Sequence, residues 1–238
     1  MSTIEDLKVK IFADGADIAG IAAAAEDPVI RGFTTNPTLM RQAGVDDYEQ
    51  FALKALEVID GKPISFEVFT DEFPQMARQA RRIATWGDNV FVKIPVSNSV
   101  GEPSYDLIAE LVGSGVSLNV TAVFTHEQID AVAERLVGGP PSYLSVFAGR
   151  IADAGVDPVP YVRHAVDAVV SDDHAEVIWA SPREVLNIVQ ADQCGCHVIT
   201  VTNDLVKKLP NLGKDLAQYS LETVQMFRND ALSAGYQL

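Results

Sequence analysis

The chain has 238 residues, of which 47% are hydrophobic and 21% charged, and these values exclude wholesale disorder. Its length is close to the roughly 250 residues of a single α/β barrel, so we expect one domain over residues 1–238. The 33 acidic and 18 basic residues give a formal net charge of −15, which argues against nonspecific binding to nucleic acid or to anionic membranes.

The predicted elements alternate between short apolar strands and helical patterns. Eight strand candidates occur in order, at Lys8–Ala13, Arg31–Thr34, Ile64–Phe69, Asn89–Ile94, Ser117–Ala122, Ser142–Val146, Glu176–Ala180 and His197–Val201. Helical patterns lie between them at Glu72–Ala84, Tyr105–Leu111, His126–Leu136 and Pro160–Val170, and a last one covers Gly213–Gly235. This order predicts an α/β fold, a single (β/α)8 TIM barrel with an extra C-terminal helix, and an open doubly wound sheet is the alternative.

The fourth strand candidate carries a lysine in an apolar run. The period of two places Phe91 and Lys93 on one face of this strand and Val90, Val92 and Ile94 on the other. The apolar face suits packing against helices, so we expect Lys93 to point into the barrel. Burial of an ammonium disfavours its charge, and a neutral amine is the form that attacks a carbonyl to make a Schiff base. The alternative is a lysine that extends to the rim, or one paired with Asp14 or Glu67 for structure alone.

Polar residues recur at the C-terminal ends of the strand candidates. The same period of two places several on the inner face, namely Asp14 with Phe12, Glu67 with Ser65, Asn119 with Thr121, Ser145 with Phe147, and Ser181 with Trp179. Asn36 follows the second strand directly. TIM barrels build their active sites at this end, so the sequence predicts one polar mouth with Lys93 in it.

Signals for export, membranes and metals are weak. The N-terminal residues lack the charged and apolar regions of a signal peptide, so we expect a cytoplasmic protein. Cys194 and Cys196 are too close for an ordinary disulfide, and we expect both to be reduced thiols. His197 beside them lacks a fourth ligand at suitable spacing, so no metal site is predicted.

Several segments resemble the small transaldolase family in order and strand position. They are Asp14–Asp17, Thr34–Thr38, Val92–Pro95, Asn119–Thr121, Phe147–Arg150 and Ala180–Ser181, within a match from about Lys10 to about Leu209. The T-T-N-P and V-K-I-P motifs are jointly specific. The resemblance implies a Schiff-base transaldolase without a cofactor. It would move a dihydroxyacetone unit from a ketose phosphate, sedoheptulose 7-phosphate or fructose 6-phosphate, to an aldose phosphate in pentose phosphate type metabolism.

The resemblance also implies residue roles. Lys93 would form the Schiff base, Asp14 would be the acid/base on the C4 hydroxyl, and Glu67 with Thr121 would hold a proton-shuttling water. The substrate-binding residues it implies are Thr34, Asn36, Asn119, Ser145 and Phe147, with Arg150, Ser181 and Arg183 at the phosphate. Arg183 follows Ser181 more closely than is usual in the family, so its reach to the phosphate stays open. Purely structural roles also stay open for three of these residues. Asn36 before a proline could serve a turn, Thr121 could be present as a strand former, and Ser145 could be a small residue where the barrel interior is crowded.

Two positions distinguish the transaldolases from the similar fructose-6-phosphate aldolases. The fructose-6-phosphate aldolases usually carry glutamine and tyrosine where this chain has Glu67 and Phe147, so the transaldolase is favoured. An aldolase that releases free dihydroxyacetone and a non-catalytic sugar-phosphate-binding barrel are the alternatives. The resemblance further suggests a homo-oligomer, with a pentamer or decamer as possibilities.

Overall fold

The computed structural model describes residues 4–236, and within them eight parallel strands close into one barrel in chain order, with β8 pairing to β1. The strands are β1 Lys10–Asp14, β2 Ile30–Thr34, β3 Ile64–Glu67, β4 Val90–Pro95, β5 Leu118–Val123, β6 Ser142–Val146, β7 Ala175–Trp179 and β8 Val198–Thr202. The predicted α/β class and the (β/α)8 barrel are therefore confirmed, and the open sheet is excluded. The predicted domain span of 1–238 extends beyond the described residues at both ends.

Helices surround the barrel and follow the strands. They are α1 Ile18–Ala25, α2 Pro37–Gln42, α3 Tyr48–Val58, α4 Phe73–Ala84, α5 Tyr105–Gly113, α6 His126–Leu136, α7 Ala148–Asp153, α8 Val159–Val169, α9 Leu186–Gln193, α10 Asn203–Val206 and α11 Leu216–Ser233. The sequence predicted α4, α5, α6, α8 and α11 within a few residues. The helices it did not place include α2 and α7, which have only six residues each and show too few turns for a 3.6-residue period to emerge.

The barrel separates two hydrophobic clusters. The outward residues of the strands, such as Val92 and Ile94 on β4, join the large core under the helices. A smaller cluster lies inside the barrel and comprises Phe12, Tyr143, Ile178, Ala180 and Val198, with Phe91 and Phe147 packed against it. Gly32 makes this interior possible, because a Cβ there would come within 2.6 Å of the Phe12 ring. The inner cluster fills the barrel below the polar mouth.

The predicted pairing of Ser181 with Trp179 on the inner face is wrong. Trp179 is fully buried in the outer core with Val177, whereas Ile178 and Ala180 face inward. After Glu176 the residues of β7 are apolar on both faces, so a period of two over Val177–Ala180 cannot choose between them. Ser181 still reaches the mouth, because its backbone turns through a φ of +61° just after the strand.

Helix α11 projects from the barrel with none of its residues buried. Its exposed apolar side chains include Leu221, Val224, Met226 and Phe227, of which Phe227 is 62% exposed. No described helix is long and apolar enough to span a membrane. Cys194 and Cys196 are free buried thiols, and the described residues contain no cluster suited to a metal ion.

Candidate active site

A cavity of about 600 Å³ opens at the C-terminal end of the barrel strands. The predicted site residues that line it are Asp14, Thr34, Asn36, Glu67, Lys93, Asn119, Thr121, Ser145, Phe147, Arg150 and Ser181. They come from seven strands or from the turns and the helix α7 that follow them, so the closed sheet gathers residues far apart in sequence. Arg183 is the predicted site residue that does not line this cavity.

Lys93 is buried near the centre of the cavity and is 7% exposed. Its Nζ donates to the carbonyl oxygen of Thr35 at 2.9 Å and lies 3.3 Å from Oε2 of Glu67. Glu67 and Lys93 are register partners on β3 and β4, which explains their close approach. The lysine therefore does not extend to the rim. A carboxylate at this distance can exchange a proton with the amine, directly or through a water.

Asp14 is the last residue of β1 and lines the same cavity. Its Oδ1 accepts a hydrogen bond from Oγ1 of Thr34 at 2.8 Å, and that hydroxyl lies 2.5 Å from Oγ1 of Thr200 on β8. Burial raises the pKa of the Asp14 carboxyl, and Glu67 adds to this effect, although Lys93 and the Thr34 hydroxyl oppose it. A carboxyl with a raised pKa is suited to general acid–base work near neutral pH.

Asn119 lies at the floor of the cavity with no exposed surface. Its Nδ2 donates to Oγ of Ser65 at 2.9 Å, and its Oδ1 accepts from Oγ of Ser145 at 2.7 Å. These bonds hold the amide in one orientation across β3, β5 and β6. Asn36 has a structural role as well, because its Oδ1 accepts from the backbone N–H of Leu39 and caps α2.

The hydroxyl of Thr121 is buried and has no hydrogen-bond partner among the described residues. Thr121 is 3% exposed and lines the cavity beside Ala122, which has a φ of +59° at an irregularity in β5. An unpaired buried hydroxyl costs free energy. The Thr121 hydroxyl is therefore available to hydrogen-bond a molecule that enters the cavity.

The outer side of the cavity is basic and aromatic. Phe147 precedes α7, and the guanidinium carbon of Arg150 lies 5.8 Å from the centre of its ring. Gly149 packs so closely on Ser181 that a Cβ there would lie 1.5 Å from the Ser181 carbonyl oxygen. Arg183 donates to Oγ of Ser181 at 3.1 Å, but its other nitrogens bind Asp153.

Two further residues, Thr200 and Tyr48, contribute to the site and were not predicted from the sequence. Thr200 follows Val198 on the inner face of β8, and the period of two on that strand would have indicated it. Tyr48 on α3 donates its hydroxyl to the carbonyl oxygen of Glu67 at 2.7 Å, and burial raises its pKa. No local pattern marks Tyr48, because its partner lies on another element.

A family model described as transaldolase/fructose-6-phosphate aldolase matches residues 11–237 of the chain. A probable transaldolase of Streptococcus pyogenes serotype M5 (strain Manfredo) is 34% identical over 204 residues, covering 84% of this chain and 90% of the relative. The probable transaldolase of Streptococcus pyogenes serotype M1 gives the same values.

Two solved structures share the fold at low sequence identity. A putative lyase/mutase from Burkholderia cenocepacia J2315 has a TM-score of 0.57 and 15% identity, over 97% of this chain and 85% of the other. A variant of the citrate synthase SbnG has a TM-score of 0.57 and 11% identity, over 92% of this chain and 97% of the other. At these identities the likeness extends to the fold alone.

Proposed function

Because the chain belongs to the transaldolase/fructose-6-phosphate aldolase family, we propose that it is a transaldolase that works through a Schiff base on Lys93 and needs no cofactor. It would transfer a dihydroxyacetone unit from sedoheptulose 7-phosphate or fructose 6-phosphate to an aldose phosphate, in pentose phosphate type metabolism in the cytoplasm. The observation that carries the proposal is the buried Lys93 amine, 3.3 Å from the Glu67 carboxylate in a polar cavity.

The first step is attack of the Lys93 amine on the ketose carbonyl. The carbinolamine then loses water to give the imine, which requires a proton acceptor for the amine and a donor for the departing hydroxyl. Glu67 stands beside the amine, and the unpaired Thr121 hydroxyl faces the same cavity. We propose that Glu67 and Thr121 together hold a water molecule that carries these protons.

The second step breaks the C3–C4 bond. Its electron pair moves into the imine to give an enamine on Lys93, and the C4 hydroxyl loses its proton as the aldose departs. Asp14 would accept that proton, and its raised pKa lets it return the proton when the acceptor aldehyde adds in the reverse sense. The Asn119–Ser145 pair and Asn36 would bind the hydroxyls of the three-carbon unit meanwhile.

The phosphate would bind at the outer side of the cavity. Arg150 and Ser181 line that side, and an arginine fork suits a phosphate dianion. Arg183 adjoins Ser181 but is held by Asp153, so we assign it a secondary role.

Transfer is favoured over aldolase activity by Phe147. The enamine can attack an aldehyde, or it can be protonated and released as dihydroxyacetone. Phe147 lines the cavity and has no proton to donate, so release lacks a general acid at this position.

One assay separates the three functions. Dihydroxyacetone release from fructose 6-phosphate is measured without acceptor and compared with transfer to erythrose 4-phosphate. A transaldolase transfers much faster than it releases, whereas equal rates would identify the aldolase. Sugar-phosphate binding with neither reaction would identify the non-catalytic barrel.

We also propose that the protein is a homo-oligomer, a pentamer or decamer being the sizes the resemblance suggests. Helix α11 supports this, because none of its eighteen residues is buried and several large apolar side chains on it, including Val224 and Phe227, are exposed. Light scattering of the full chain and of a Val224→Asp, Phe227→Asp double variant provides the test. A monomeric wild type would contradict the proposal.

A further inference from the structure

Thr200 is a buried cavity residue to which the proposed reaction gives no role. It lies on the inner face of β8, two residues after Val198. Its Oγ1 is 2.5 Å from Oγ1 of Thr34, which donates to Oδ1 of Asp14 at 2.8 Å. Thr200 and Thr34 are 7% and 3% exposed, so both hydroxyls are largely shielded from solvent, whereas Asp14 is half-buried.

The ionised state of Asp14 determines the direction of these hydrogen bonds. A threonine hydroxyl has one proton, and the Thr34 proton is directed to the Asp14 carboxylate. Thr34 can then only accept from Thr200, so Thr200 is the donor in the 2.5 Å contact. A hydroxyl that accepts one hydrogen bond donates a stronger one, so Thr200 strengthens the bond that Thr34 makes to the carboxylate.

We propose that Thr200 is a positioning residue that keeps Thr34 oriented as a donor to Asp14 and thereby extends the activity of the Asp14 base to lower pH. The inference rests on the proposed function, in which Asp14 accepts the proton of the C4 hydroxyl. Thr200 acts through Thr34 and need not touch the reacting atoms.

The surroundings of Asp14 explain why the hydrogen bonds from Thr200 through Thr34 affect its ionisation. The charged side chains that line its cavity or the groove beside it are Lys93, Glu67, Arg150, Asp17 and Asp204. Burial raises the pKa of Asp14 despite the attraction of Lys93. Hydrogen bonds to the carboxylate favour its ionised form, so removing a donor raises the pKa further. The acidic limb of the pH profile of kcat/KM therefore moves to higher pH when the Thr200–Thr34 hydrogen bond is lost.

The test compares Thr200→Val, which keeps the shape and removes the donor, with Thr200→Ser, which keeps the hydroxyl. Thr202→Val is the matched control, because it removes an exposed hydroxyl from the same strand. We expect the acidic limb of kcat/KM for transfer to move up by about 0.5–1 pH unit in Thr200→Val. Thr200→Ser and Thr202→Val should match the wild type.

A titration that needs no turnover accompanies the kinetics. The carboxyl ¹³C signal of Asp14, assigned by difference against Asp14→Asn in aspartate-labelled protein, should show the same upward shift in Thr200→Val. If Thr200→Val does not fold, Thr200→Ala provides the same comparison. An unchanged Asp14 titration, or equal shifts in the valine and serine variants, would overturn the inference. Absence of any transfer by the wild type, with a shifted titration in Thr200→Val, would reject the proposed function and the role of Asp14 as its base, but it would support the effect of Thr200 on the Asp14 carboxyl.

Discussion

Arg183 and Asp153 form a two-pronged ion pair at the outer side of the cavity, with Nε 3.0 Å from Oδ1 and Nη2 2.5 Å from Oδ2. The Arg183 guanidinium holds the pKa of the Asp153 carboxyl below its usual range. A third nitrogen donates to Oγ of Ser181, which lines the cavity. The carboxylate therefore competes with an incoming phosphate for the same arginine.

We expect Asp153→Asn to lower KM for phosphorylated sugars, because it frees Arg183 to bind the phosphate. Exposed ion pairs are weak, so the effect should be about two- to fivefold. Steady-state kinetics with fructose 6-phosphate measures it, and an unphosphorylated ketose is the control substrate. If neither Asp153→Asn nor Arg183→Ala changes KM, Arg183 has no part in phosphate binding.

Arg150→Ala should raise KM for phosphorylated substrates far more than it lowers kcat. The phosphate is remote from the bond that breaks, so it is bound equally in the ground and transition states. A lost charge-assisted hydrogen bond costs about 1.5–3 kcal/mol, or about 10- to 150-fold in kcat/KM. Arg163→Ala, an exposed arginine on α8, is the matched control. Equal losses on phosphorylated and unphosphorylated ketoses would remove Arg150 from the phosphate site.

Phe147→Tyr should increase the release of free dihydroxyacetone relative to transfer. The new hydroxyl supplies a proton donor in the cavity, and general acid assistance can raise the rate by about 10²-fold. The ratio of release to transfer from fructose 6-phosphate is the measurement. Phe124→Tyr is the positional control, since its ring centre lies 5.6 Å from that of Phe147. An equal increase in both variants would show that position 147 has no special role.

Asp14→Asn should stabilise the fold at pH 8 while it lowers transfer by about 10²–10⁴-fold. Burial raises the pKa of Asp14, so the folded protein holds this proton more tightly than the unfolded chain. The stability that Asp14 contributes is complete below its ordinary pKa of 3.8 and is lost as the pH rises through the raised value. Removing the carboxylate therefore raises Tm at pH 8, and the gain shrinks toward acidic pH. A lower Tm than that of the exposed control Asp173→Asn at pH 8 would contradict this.

The sequence predicted the barrel and the position of Lys93 because β4 is apolar on one face only. Phe91 and Lys93 therefore had to lie inside, and they do. On β7 the orientation was predicted wrongly, because the residues after Glu176 are apolar on both faces and Trp179 packs outward. The φ of +61° that brings Ser181 to the mouth has no local signal in the sequence.

Contacts between elements that are distant in the chain could not be predicted from the sequence either. Thr200 reaches Thr34 only because β8 and β2 flank β1 in the closed sheet. The pairing of Arg183 with Asp153 depends on how the end of α7 and the segment after β7 approach each other across 30 residues of chain. Such contacts depend on tertiary packing, which periodicity does not encode.

The most direct test of the account is to reduce the protein with borohydride in the presence of fructose 6-phosphate and to locate the adduct by peptide mass spectrometry. We predict a single modified lysine, Lys93, and no adduct on Lys10, whose ammonium pairs with Glu176 at 2.5 Å. The adduct should be absent without sugar and in Lys93→Met. An adduct on any other lysine, or none with active protein, would contradict the Schiff-base mechanism.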